Sequence, residues 1–297
     1  MLATIDVWEK KLVCMLTGGE PFLSPNLFRL AKFLDKSDIV AKWGIITNGV
    51  IPDRINALNR LRDEFEKFDA LYVSLDGTRE SVNRKIRAQG IFARVIDTMT
   101  IARSRGLKVY IMFTLMKSNL EDAYNLPKFA QELADGFILE RFIPLGQSAQ
   151  LKHEVVSGEE LMSVYKEIYE FCNVEFNPID AVKYHALFVR FDKENNLFGA
   201  ECVIGRLGAC ILPCGTLLPC RRLYLPLGNL LKESLLTIWR ENEILQKLTQ
   251  KTYLKGKCKI CSIGDCAGCR AIAWAIHGDP FGEDPQCFAL REVWTKG

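Results

Sequence analysis

Apolar and polar positions follow two rhythms along the first half of the chain. Short apolar runs rich in β-branched and aromatic residues occur at KLVCML (11–16), GIIT (44–47), LYVSL (71–75), KVYIMFTL (108–115) and GFILERFI (136–143). Between them lie LFRLAKFLDK, RINALNRLRDEFEKF, RVIDTMTIARSRG and NLPKFAQELADG, with apolar residues at helical spacing. The runs predict strands and the spaced stretches predict amphipathic helices. The two alternate about every 30 residues, which predicts βα units around a parallel sheet. RSRG, with cations in a last helical turn and Gly106 just beyond, is a helix stop.

Polar turns fall where these strands end: TGGEP after the first, TNG (47–49) after the second and SLDGT (74–78) at the third. In parallel α/β folds ligands bind at that edge. Any one such turn is expected simply to connect elements. Three on one rim point to a small-molecule site there.

From residue 144 to 198 the pattern becomes transitional, with one helix, SGEELMSVYKEIYEFC, capped by Ser157. Beyond Gly199, ACILPCGTLLPC predicts a hairpin and ESLLTIWRENEILQKL a helix. Cys214-Gly215 reads as a two-residue turn. That register pairs Pro213 with Thr216 and sets Cys210 opposite Pro219.

Composition changes this picture little. The chain has 297 residues, 48% hydrophobic and 25% charged, which is the balance of a globular protein. A net charge of +3 is too small to argue for a nucleic-acid or membrane partner. The start, MLATIDVWEKK, lacks the basic head and apolar centre of a signal peptide, so a cytoplasmic location is expected.

The cysteines change it more. Of 11, nine fall between Cys202 and Cys287, while Cys14 and Cys172 stand alone. The break predicts a domain boundary before Cys202. CKICSIGDCAGC holds Cys258, Cys261, Cys266 and Cys269, and Cys287 follows after 17 residues. Thiols this dense in a reducing compartment imply a soft metal rather than disulfides. Zinc remains open as one solution. Zinc knuckles are usually set further apart than these two pairs, and iron–sulfur clusters are the favoured reading. His153, His185 and His277 lack partner spacing and are read as structural.

These motifs together resemble the radical-SAM proteins with a C-terminal SPASM domain. LTGGEP is similar to the GGEP motif, and ITNG, SLDGT and LERFIPLG to later strand ends. CVIGRLGACILPCGTLLPC and CKICSIGDCAGCRA…GDPFGEDPQC are similar to the SPASM cysteine pattern, in the form of peptide-modifying and haem-maturation members. The resemblance covers nearly the whole chain. It implies an α/β fold: a partial (β/α) TIM-like barrel lacking its first βα unit (1–150), a connecting helical segment (151–198) and a small cysteine-rich SPASM domain (199–297).

The resemblance also implies site residues. Gly18, Gly19 and Glu20 would hold the amino group of S-adenosylmethionine, where a carboxylate suits an ammonium. Asn48 and Ser74 would contact its ribose or methionine, and Phe142 and Ile143 would lie beside the adenine. Two auxiliary 4Fe–4S clusters are implied. Cys258, Cys261, Cys266 and Cys287 would hold the outer one. Cys202, Cys220 and Cys269 would hold the inner one, completed by Cys210 rather than Cys214, or left open. The implied partners are a peptide or tetrapyrrole-like substrate and an electron donor such as ferredoxin or flavodoxin. KGKCK is expected to be a solvated turn rather than the donor's dock. Arg221 stands where sulfatase-maturing relatives carry an acid, which argues against that substrate.

Two departures shape the expectation for activity. The family's Cys-x3-Cys-x2-Cys motif is absent, with only Cys14, inside a strand, before residue 172. The GGEP strand comes first instead of second. A truncated enzyme that binds S-adenosylmethionine weakly or not at all, and does not cleave it alone, is therefore expected. A non-enzymatic electron-transfer or binding protein and a zinc-stabilised scaffold are the alternatives.

Overall fold

Among residues 11–289, which the computed structural model describes, seven strands form one curled half-barrel sheet. The N-terminal stretch MLATIDVWEK and residues 290–297 lie outside the described residues. The strands are β1 (Leu12–Leu16), β2 (Val40–Thr47), β3 (Phe68–Ser74), β4 (Val109–Leu115), β5 (Gly136–Arg141), β6 (Ala186–Phe191) and β7 (Asn195–Ala200). They lie in chain order. β1 to β5 are parallel, and β6 and β7 add antiparallel. All five expected strands form.

Alternation along each strand separates two faces. Trp43 and Ile45 of β2, Leu71 and Val73 of β3, Ile111 and Phe113 of β4, and Phe137 and Leu139 of β5 are buried in the main core. They pack under the helices Leu27–Lys36, Arg54–Asp63, Ile91–Ser104 and Leu126–Leu133, whose buried faces include Ala31, Leu58, Met99 and Ala130. At about 25 cal/mol per Å² of apolar surface, this shared layer is the main source of the sheet's stability. The opposite parity, including Tyr72, Ser74, Thr114 and Glu140, lines the inner face.

Several expectations are corrected. The segment 151–198 holds helix Gly158–Phe171, capped by Ser157 as expected, but also β6 and most of β7. ALFVRF alternates about a charged position, and the polar NNLFGA forms a half-exposed edge strand. The helix read through ESLLTIWRENEILQKL is two, Leu235–Glu241 and Glu243–Leu248. Asn242 breaks it: its side chain accepts from Leu245 N (2.9 Å) and so caps the second piece.

The hairpin is also different. β8 (Cys210–Ile211) and β9 (Thr216–Leu218) pair with Cys210 opposite Leu218, and β10 (Gly228–Asn229) pairs with β9. Leu212 N donates to Thr216 O (2.9 Å) and Gly215 N to Leu212 O (2.9 Å). The loop therefore has three residues, Pro213 to Gly215, with Gly215 at φ 83° in the left-handed position of such loops. Cys210 faces Leu218 instead of Pro219. No helix among the described residues is long and apolar enough to cross a membrane.

Candidate functional site

The first site is the rim formed by the C-terminal ends of β1, β2 and β3. After β1 the chain turns through Gly18 (φ 150°) and Gly19 into Glu20. Glu20 Oε1 accepts from Thr47 Oγ1 (2.8 Å) and Phe22 N (3.2 Å), and Oε2 accepts from Asn48 N (2.7 Å). Three donors from two strand ends thus fix the carboxylate. A carboxylate offers about four lone-pair sites, so one on Oε2 remains for a further donor such as an ammonium. Among the described residues a Cβ at Gly18 or Gly19 would meet no atom within 4 Å, so open space borders the two glycines that lead into Glu20.

Asn48 and Ser74 follow directly from the paired Thr47 and Val73 at the ends of β2 and β3, and both are half-buried. The Asn48 Oδ1 is engaged by Val50 N (2.8 Å). Phe142 and Ile143 are buried, and Ile143 belongs to a second core under the cysteine-rich region.

SLDGT has a structural role that its sequence did not reveal. Asp76, 3% exposed, accepts from Thr114 N (2.9 Å) and pairs with Arg87 (2.7 Å), while its backbone oxygen accepts from Asn119 Nδ2 (3.1 Å). A Cβ on Gly77 would lie 2.7 Å from Asn83 N, so glycine is needed there by packing. This knot ties the ends of β3 and β4 and sets the height of the rim.

The second site lies in the C-terminal region. Cys258, on the short helix Gly256–Ile260, shares a cavity with Cys261, Cys266 and Cys287. Backbone amides serve two of these thiols: Asp284 N donates to Cys258 Sγ (3.4 Å) and Gly268 N to Cys266 Sγ (3.4 Å). Gly268 sits at φ 62°, and a Cβ there would lie 3.1 Å from Cys258 Sγ. Burial pushes the Cys258 and Cys266 thiols up, and Cys287 to about 12. Holding all four as thiolates requires a cationic centre among them. No three His, Cys, Asp or Glu side chains among the described residues converge to hold a single ion. The four thiols line one cavity, and cysteine thiolates are ligands that both zinc and iron–sulfur clusters take.

Cys202, Cys220 and Cys269 gather beside the second core. Burial pushes the Cys202 thiol to about 11, and the neighbouring Cys269 and Cys220 add to it. Burial also raises Cys210, with Cys220 contributing, and the β8–β9 register sets Cys210 opposite Leu218, two residues before Cys220. Cys214 is exposed at the hairpin tip, within 3.2 Å of Thr216 Oγ1, whose hydrogen bonding lowers its pKa. Cys14 and Cys172 pack against the main core. All eleven cysteines are unbridged.

Charge joins this region to β5. Arg141 pairs with Asp284 at 3.0 Å, both nearly fully buried, and Asp284 Oδ2 also accepts from Cys269 N (2.8 Å). Arg222 Nη1 donates to Arg141 O (3.2 Å), and Arg221 pairs with Glu140. Burial raises the Glu140 carboxyl, but Arg222 and Arg221 more than offset this and hold it below its ordinary value. Burial, with Arg141 beside it, holds His185 neutral well below its ordinary value. Sequence reasoning named none of Arg141, Arg222 and Asp284 as a site residue, because single charges in a strand end or loop carry no periodic signal.

Residues 2–130 match the family model of the radical SAM superfamily, and residues 202–269 match that of an iron-sulfur cluster-binding domain, SPASM. An AdoMet-dependent heme synthase of Methanosarcina barkeri is 27% identical over 295 residues, 93% of this chain and 82% of that protein. A PqqA peptide cyclase of Ruegeria pomeroyi is 24% identical over 282 residues, 92% of this chain and 73% of that protein. The crystal structure of Streptococcus suis SuiB bound to S-adenosylmethionine has the same fold, with a TM-score of 0.68 at 16% identity. It aligns with 93% of this chain, which spans 66% of that one.

Proposed function

We propose, for a chain that unites a radical SAM region with a SPASM domain, that its C-terminal part holds two auxiliary 4Fe–4S clusters and serves the modification of a peptide or tetrapyrrole-like substrate. The observation that carries this is the cavity shared by Cys258, Cys261, Cys266 and Cys287. These four would hold the outer cluster. Cys202, Cys220 and Cys269, with Cys210 beside Cys220, would hold the inner one. The substrate classes are those named for the M. barkeri and R. pomeroyi relatives.

Glu20 would bind the ammonium of S-adenosylmethionine in the space beside Gly18 and Gly19, with Asn48 and Ser74 along its flank. The clusters, when bound, would supply one-electron transfer, fed by a ferredoxin- or flavodoxin-type donor. These 297 residues contain no Cys-x3-Cys-x2-Cys, so this chain alone does not cleave S-adenosylmethionine. The chain's own task is to orient the methionyl amine at Glu20 and to shield the thiols, the inner set against the second core and Cys261, Cys266 and Cys287 against the main core.

Anaerobic purification followed by metal and sulfide analysis tests the reading. About eight iron and eight sulfide per chain are expected, from two four-iron clusters. Stoichiometric zinc without sulfide would overturn it. With dithionite and S-adenosylmethionine, 5′-deoxyadenosine should not exceed a no-protein control. An excess would sink the clause on cleavage.

A further inference from the structure

Arg270 is fully buried and immediately follows Cys269. Its Nη1 donates to Pro280 O (2.9 Å) and Gly282 O (2.6 Å), which fixes the guanidinium plane. Its Nη2 then reaches back to Cys258 Sγ at 3.5 Å. Cys258 belongs to the outer set, whereas Cys269 belongs to the inner set. The same guanidinium also acts on the Cys202 thiol, on the inner side, where it partly offsets the burial that raises it. One cation therefore touches one cysteine set and neighbours the other.

A second observation concerns unused donors. Buried Nε groups of Arg270, Arg222 and Arg141, and Nη2 of Arg141, have no hydrogen-bond partner among the described residues. A buried donor left unmade costs about 1–3 kcal/mol, so four in one layer call for acceptors. Arg222 N donates to Cys220 Sγ (3.4 Å), and Arg141 shares the Asp284 carboxylate with Cys269 N. The buried carboxylates facing this layer are Asp284 and Glu140, and His185 beside them is neutral. Asp284 is paired with Arg141 and Glu140 with Arg221, so Arg270 and Arg222 are positive charges in excess of the carboxylates here.

We propose that Arg270 is a positioning residue shared by both cysteine sets, which raises the reduction potential of the centres they hold and couples the two electrostatically. This rests on the reading that both sets hold iron–sulfur clusters. Reduction adds one negative charge to a cluster. A fixed cation in a low-dielectric layer favours that state, and an N–H donor to a ligating sulfur does the same. Because Arg270 neighbours both sets, its loss should move both potentials. A residue that served only to hold the 280–282 turn would affect cluster retention and leave the potentials alone.

The test is an EPR-monitored redox titration of the anaerobic full chain, with iron and sulfide measured on each sample. In Arg270→Gln both midpoints should move to more negative potential, each by at least a tenfold shift in the reduced-to-oxidised ratio, about 59 mV for one electron. Arg270→Lys keeps the charge but loses the planar fork, and should move both in the same direction by less. It decides the matter if Arg270→Gln does not retain iron. Arg87→Gln, which unpairs a cation from Asp76 at the rim, should move neither. Retained clusters with unmoved midpoints in the Arg270 variants, or movement of one alone, overturn this inference and leave the function standing. Wild-type protein with zinc and no sulfide overturns both.

Discussion

Glu20 gains its meaning from the backbone around it. The sequence displays GGEP and TNG as separate turns, with Glu20 27 residues before Thr47, and neither alone specifies a site. The fold brings Thr47 Oγ1 to 2.8 Å and Asn48 N to 2.7 Å from one carboxylate, so the two motifs are one device. Gly49 belongs to the fold instead: a Cβ there would lie 3.0 Å from Val73 and Val95. Gly19 has no such constraint, and that separates ligand approach from packing. Gly19→Ala should leave stability within about 0.5 kcal/mol, as for an open surface position. It should weaken S-adenosylmethionine binding at least tenfold if the ligand lies against that backbone. Glu20→Gln should weaken it by a similar factor, since a hydrogen bond to a charged group is worth about 1.5–3 kcal/mol. Equilibrium dialysis with labelled S-adenosylmethionine, beside urea denaturation of the same samples, gives both numbers. Unchanged binding in both variants places the ligand elsewhere.

At the scale of elements, the parallel core was legible because burial on one face leaves a strict period in the sequence. Leu71 and Val73, or Phe137 and Leu139, could not sit otherwise without exposing apolar surface. β7 escaped because Asn195, Asn196 and Gly199 on an exposed edge carry little of that period. The hairpin escaped for a different reason. A two-residue and a three-residue loop both place glycine at the turn, and only the ladder distinguishes them. The difference of one residue matters, since it changes which face a side chain takes. With Cys210 opposite Leu218, alternation sets Cys220, two residues on, to the face of Cys210. The register read from sequence would have put them on opposite faces. Cys214 lies at the tip, where its thiol meets Thr216. Cys210→Ala is therefore expected to lower iron and sulfide and to erase one of two EPR signals, while Cys214→Ala leaves both. The reverse pattern would mean that the loop, not the strand, supplies the inner ligand.

At the scale of the whole molecule, the cysteine-rich region is joined to the sheet by its own last residues. After Asp284 the chain returns to the main core, where Phe288 packs edge-on against Tyr165 at 5.9 Å and Gln286 Nε2 donates to Val156 O (3.1 Å). Asp284 is the hinge of this return. Its carboxylate accepts from Arg141 on β5, from Cys269 N in the inner cysteine set and from Gln286 N (2.9 Å) in the returning strand of chain. Sequence could not reveal this, because its partners lie 143, 15 and 2 residues away and share no pattern. Asp284→Ala leaves Arg141 charged and buried without its partner, and breaking such a pair costs about 3–5 kcal/mol. The loss should appear as a lower urea midpoint and as proteolysis between residues 199 and 289, with the barrel strands protected. If pairing is the reason, Arg141→Met with Asp284→Leu should recover much of the midpoint, since an apolar pair of similar volume can replace a buried ion pair. The double variant should still hold fewer clusters than wild type, because the Cys269 amide has lost its acceptor. A double variant as weak as Asp284→Ala would mean that the backbone amides, and not Arg141, account for the effect.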